Sequence, residues 1–110
     1  MPYIVTSVWY PTHKNKEVVK TYIEAIKKYP PSKIPGKLIV PVAVTTTKKG
    51  LESMRIREIK TDDGQMLSDA LKTIQEMMTE FIDIEGVEYS IRLWETVSEA
   101  MRNIKMESPE

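Results

Sequence analysis

The sequence predicts a single α+β domain whose elements run in the order βαββαβ, followed by a short helical tail. Three observations carry this reading. Segments of period-two alternation, rich in β-branched and aromatic residues, alternate with two longer segments of helical periodicity. The punctuation falls between them, at Pro11, Pro30-Pro31, Lys48-Lys49-Gly50 and Gly86. The length, 110 residues, is that of one domain. The expected domain is therefore 1–110, with its core at about 3–94 and a tail at 95–110.

Tyr3 to Tyr10 (YIVTSVWY) reads as the first strand, because Ile, Val, Thr, Trp and Tyr fit a pleated surface. Ile4, Val8 and Tyr10 fall on one face; Tyr3, Val5, Ser7 and Trp9 fall on the other. Thr12 or Asn15 is expected to cap a helix that runs to about Lys28. Its predicted apolar stripe is Val19, Tyr22, Ile23 and Ile26, with Val18 and Tyr29 at the margins. Lys27 and Lys28 suit the negative end of the helix dipole, and Pro30-Pro31 stops the helix.

Lys37 to Thr47 is the second strand. Pro41 cannot donate to a ladder, which predicts an edge strand or a bulge. Lys48-Lys49-Gly50 reads as a hairpin turn into the third strand, Leu51 to Lys60. That strand carries Arg55 and Arg57 on one face, Met54 and Ile56 on the other. Asp62 with Gln65 resembles a capping box for a helix running to about Ile82. Leu67, Ala70, Leu71, Ile74, Met78 and Phe81 form its expected buried face. Val87 to Trp94 is the fourth strand: Val87, Tyr89, Ile91 and Leu93 face one way, and Glu88, Ser90, Arg92 and Trp94 the other. Thr96 to Ile104 can form a short C-terminal helix.

The composition excludes several classes. Cysteine is absent, so disulfides, thiolate metal sites and cysteine nucleophiles are out. No apolar run of about 18 residues offers a membrane span. The N-terminal segment lacks the basic and apolar regions of a signal peptide, which makes a cytoplasmic protein the expectation. Gly-rich phosphate loops are missing. Charge is uneven: residues 1–61 hold twelve Lys and Arg against four Asp and Glu, and residues 62–110 hold the reverse. A net charge of zero argues against nucleic acid as the partner. A basic first helix beside an acidic second one accounts for the asymmetry within the fold.

Two crossover helices on one face of a four-stranded antiparallel sheet is the ferredoxin-like sandwich, the compact solution for this order. The other face is then helix-free. Apolar residues on both sides of strands one, two and four predict that something covers it. The strand YIVTSVWY, the Lys48-Lys49-Gly50 hairpin and the run EGVEYSIRLWETVSEAM give the chain, over residues 3–104, a resemblance to the dimeric α+β barrel superfamily. The resemblance implies a homodimer joined through the helix-free sheet face, and a small, partly apolar ligand in the cleft between sheet and helices. That superfamily includes histidine-ligated haem proteins and cofactor-free monooxygenases. The sequence holds no His after His13 and no Asn in the first strand, so neither chemistry is carried over. No cofactor and no metal are expected.

Ser7, Trp9, Arg92 and Trp94 are the expected ligand-binding residues, since aromatics with a few polar groups make a small-molecule pocket. The same tryptophans also suit an interface. Arg55 and Arg57 could hold a carboxylate, or pair with Glu52 and Glu58 nearby. Two catalytic candidates remain. His13 has the chemistry of a general base. Pro2 would expose a secondary amine if Met1 were removed, and the opening MPYIV is similar to that of the tautomerase superfamily. This similarity implies Pro2 as general base and Lys33 or Lys37 as carbonyl polariser. The alternatives to a ligand-binding barrel are thus a Pro2-dependent isomerase and a non-catalytic assembly or regulatory module.

Overall fold

The sheet is organised around its first strand. A computed structural model describes residues 2–59 and 64–103. The strands are β1 (Tyr3–Tyr10), β2 (Lys37–Thr47), β3 (Gly50–Glu58) and β4 (Glu88–Trp94). The helices are α1 (Asn15–Lys28), α2 (Gly64–Met78) and α3 (Val97–Asn103). The strands lie in the order β2-β3-β1-β4, every neighbouring pair antiparallel. This is the ferredoxin-like α+β arrangement that the element order predicts.

Both helices cover the face on which β1 places Ile4, Val8 and Tyr10. These residues share one buried cluster with Val18 and Ala25 of α1 and with Ala70, Ile74, Met77 and Met78 of α2. Ile34, Ile59, Phe81 and Ile84 close its ends. Most of the buried face predicted for α2 is observed, with Met77 added and Leu67 and Leu71 only partly covered. The basic and acidic helical segments do meet: Lys28 Nζ lies 2.8 Å from Glu80 Oε1, just beyond α2.

Helix α1 departs from expectation in two ways. Neither Thr12 nor Asn15 caps it: a 3-10 turn at Thr12–Lys14 leads in, and the N-cap is Lys14 without a side-chain bond. Its buried stripe is also rotated, centred on Val18, Tyr22, Ala25 and Ile26, so that Val19 and Ile23 stay 45% and 50% exposed. Small Ala25 lets the helix approach the core on that side, and the stripe follows it. The Asp62 part of the capping box lies outside the described residues.

The proline in β2 has both predicted consequences. The strand is at the sheet edge, and its register against β3 slips between Leu38 and Val40 and again between Val40 and Ala43. One bulge therefore precedes Pro41 and the second contains it. Beyond it the hairpin runs out as an exposed arm, and residues 41–49 are all exposed. The turn is Lys48-Lys49, with Thr47 opposite Gly50. Thr47 Oγ1 accepts from Lys49 N at 3.2 Å and donates to the Gly50 carbonyl at 3.3 Å. The arm helps explain a radius of gyration of 15.5 Å, against about 13 Å for a fully compact chain of this size.

Candidate functional site

Strand alternation sorts the chemistry-bearing residues onto two faces. The register pairs Ile4 with Arg57, Thr6 with Arg55, Val8 with Ser53 and Tyr10 with Leu51, so all eight point toward the helices. On the opposite face lie Tyr3, Val5, Ser7 and Trp9, with Glu52, Met54, Ile56 and Glu58 across from them. The β4 register adds Ser90, Arg92 and Trp94 to this second, helix-free face.

On the helix side a cleft of about 280 Å³ opens between α1, α2 and the sheet. Val8, Val18, Val42, Met77, Met78 and Phe81 supply apolar wall. Thr6, Tyr10, Ser53 and Arg55 supply the polar groups, and Val19 and Val44 stand at its exposed rim. The hydroxyls of Thr6, Tyr10 and Ser53 make no hydrogen bond to protein among the described residues. Burial pushes the Tyr10 phenol pKa above its ordinary value.

Arg55 is fixed at one edge of the cleft. Its Nε donates to the Pro41 carbonyl at 2.9 Å, and one terminal nitrogen lies 3.5 Å from Met77 Sδ. Its guanidinium sits over the Tyr22 ring, 5.5 Å from the centroid, and the Tyr22 hydroxyl donates to the same Pro41 carbonyl at 3.3 Å. The two bulges make this possible, since they release the Pro41 carbonyl from a regular ladder. Arg57, only 3% exposed, donates to the Ile34 and Gly36 carbonyls at 3.1 and 3.4 Å. Gly36, at φ +99°, brings its carbonyl there in a conformation that side-chain-bearing residues rarely adopt. Neither arginine pairs with Glu52 or Glu58, because those carboxylates project from the other face.

The four residues expected to bind a ligand all stand on the helix-free face, not in the sheet–helix cleft. Arg92 stacks on Trp94 at 5.3 Å, and Ser7 lies opposite Ser90, whose Oγ is buried without a partner. Trp9 is remote from that pair. Trp94 is opposite Tyr3, six positions along β1 from Trp9, or roughly 20 Å. Trp9 instead borders an open recess of about 540 Å³ with Pro11, Lys48, Lys49 and Glu88.

His13 is exposed on the 3-10 turn, away from either cleft. Pro2 precedes β1, with its carbonyl accepting from Ile59 N at 3.0 Å. Lys37 shares its end of the sheet, through the row Lys37, Glu58 and Tyr3, but β3 lies between, a separation of two strand spacings or about 10 Å. Among the described residues, no group of three or more His, Asp or Glu could hold a metal ion, and no helix is long and apolar enough to cross a membrane.

The cleft residues Thr6, Ser53 and Tyr22 escaped the sequence reading as site residues. A signal was available: Thr6 interrupts the apolar series Ile4, Val8, Tyr10, and Ser53, Arg55 and Arg57 recur in phase with it.

No protein-family model matches the chain, and no curated protein matches it significantly. Solved structures do. The de novo designed protein Foldit4 superposes with a TM-score of 0.53 at 16% identity, covering 86% of this chain and 96% of its own. A protein of Shewanella loihica PV-4, provisionally described as a monooxygenase, superposes with a TM-score of 0.50 at 16% identity, covering 87% and 94%. At such identity the likeness is one of fold, and it agrees with the ferredoxin-like α+β arrangement.

Proposed function

We propose that the protein binds a small, largely apolar molecule in the cleft between sheet and helices, and does so as a homodimer joined through the helix-free face. The cleft itself carries the ligand reading. Its walls are apolar, and three hydroxyls and a guanidinium face it without satisfying one another, which is the make-up of a small-molecule site. Its volume, about 280 Å³, lies just below the usual range of about 300–1,000 Å³, which suits a small ligand. The description of the Shewanella loihica protein adds oxygen consumption to the assays worth running once a ligand is in hand.

The dimer reading is supported by the composition of the helix-free face. Trp94 is 51% exposed there and Met54 36%, with Val5, Trp9 and Ile56 half-buried beside them. An antiparallel sheet face meant for water is polar along its length; this one mixes Val5, Trp9, Met54, Ile56 and Trp94 with Glu52, Glu58 and Arg92.

Calorimetric titration with 2-naphthamide, a neutral two-ring probe, tests the ligand reading. Saturable binding is expected, weakened at least tenfold by Val44→Trp, which narrows the cleft at an exposed rim position where folding tolerates bulk. Absence of saturable binding, or indifference to Val44→Trp, would leave an assembly module as the better reading. Sedimentation equilibrium tests the dimer: a protein that is monomeric at tens of micromolar refutes it.

A further inference from the structure

We infer that the ligand of the cleft is a carboxylate, its apolar body lying between sheet and helices and its head held by Arg55 and Arg57. This rests on the cleft reading and adds the charge. Arg57 is a guanidinium withdrawn from water, bonded only to two neutral carbonyls. Arg55, two residues along the same face of β3, brings a second positive charge. Among the described residues no carboxylate pairs with either. A buried charge without an opposite one is strongly unfavourable, and two like charges side by side are worse. Burial first, and the charge of Arg55 second, pull the pKa of Arg57 below its ordinary value; an anion between them would oppose that shift by supplying the missing opposite charge.

The space between the arginines takes one oxygen of that anion, and the adjoining cleft takes the rest. A recess of about 20 Å³ opens between the two arginines, lined also by Thr6, Leu38 and Met77. That is room for a group about the size of one water molecule. The recess shares Thr6, Arg55, Met77 and Met78 with the larger cleft, so a head placed here continues into an apolar body there. The carbonyls of Pro41, Ile34 and Gly36 hold both forks in place beforehand. A planar carboxylate matches guanidinium forks, whereas a bulkier phosphate needs more donors and more room than the recess offers.

Calorimetric titration of the wild-type chain with 2-naphthoate and with 2-naphthamide, which share their ring system, decides the matter. The naphthoate is expected to bind at least tenfold more tightly. Arg55→Gln is expected to cost the naphthoate at least tenfold and the amide much less, closing the gap, and Arg57→Met the same. Equal affinities in the wild type overturn the carboxylate inference while leaving the cleft reading intact. No saturable binding of either probe overturns both. A variant that weakens both probes alike overturns it too, since the arginines would then be shaping the fold. Should either variant fail to fold, the wild-type comparison still decides.

Discussion

Replacing Gly50 with alanine is expected to destabilise the fold by about 3 kcal/mol or more. Gly50 follows the Lys48-Lys49 turn at φ +148°, a region nearly closed to residues with a side chain. Holding alanine there costs about 1–3 kcal/mol. The methyl would also collide with the Tyr10 carbonyl and stand 3.0 Å from Pro11 Cα. Those are backbone atoms, and they cannot retreat cheaply. Tyr10 is paired with Leu51 in the ladder, and its ring is buried in the core at 4% exposure. Forced overpacking adds about 1–3 kcal/mol. For a domain of this size, each kcal/mol moves the melting point by roughly 4–8 °C, so the midpoint should fall by ~10 °C or more. Urea unfolding followed by circular dichroism measures the loss. Gly64→Ala is the control: it opens α2, carries no positive φ and, among the described residues, has no heavy atom within 4 Å of a new methyl. It should stabilise by about 0.4–1 kcal/mol, through the unfolded chain alone. If Gly50→Ala leaves the midpoint unmoved, or shifts it with the same sign as Gly64→Ala, the argument from strain and collision is wrong.

Phe81→Ala should cost about 3–5 kcal/mol in the same unfolding assay, because Phe81 is 3% exposed where the extension of α2 meets the core. Trp94→Lys should shift the sedimentation profile toward monomer and leave the far-ultraviolet spectrum intact, since Trp94 is half exposed on the helix-free face. Alkali should loosen the fold through Tyr10. Burial raises its pKa, so the folded chain keeps a proton that the unfolded chain sheds above about pH 10. This contribution is complete below that pH and is lost as pH rises from there toward the folded pKa. Tyr10→Phe should flatten that part of the stability profile, and an unchanged alkaline slope would exclude Tyr10 as its source.

The strands, their faces and the hairpin were legible because period-two alternation and turn chemistry are local. Pro41 alone foretold an edge and a bulge, since a missing N–H is a property of the residue wherever it sits. The stripe of α1 was less legible. Val18, Val19, Tyr22 and Ile23 satisfy helical spacing in two overlapping ways, and the choice depends on how closely Ala25 lets the helix approach, which is a tertiary fact. The site was hardest. Ser7, Trp9, Arg92 and Trp94 stand out by residue type, yet the four do not converge. Thr6 and Ser53 are inconspicuous, and they gain meaning only when the register sets them beside Arg55. In sequence Arg57 suits pairing with Glu52 or Glu58 as well as holding a carboxylate, and only the register, which sends those glutamates to the other face, separates the two.

The central position of β1 governs when the molecule can be completed. Its two neighbours, β3 and β4, are both made later, and Tyr3 pairs with Trp94, nearly the whole described chain away. During synthesis the β2–β3 hairpin can close on its own, while the strand that emerges first waits for the one that emerges last. Contacts between such distant parts of a chain form slowly, because a long loop must close before they repay it. Until β4 docks, β1 presents a bare edge of Ile, Val, Trp and Tyr, suited to pairing with another chain. A nascent or truncated product ending before Glu88 should therefore be prone to aggregate, and the last strand acts as the lid on that hazard.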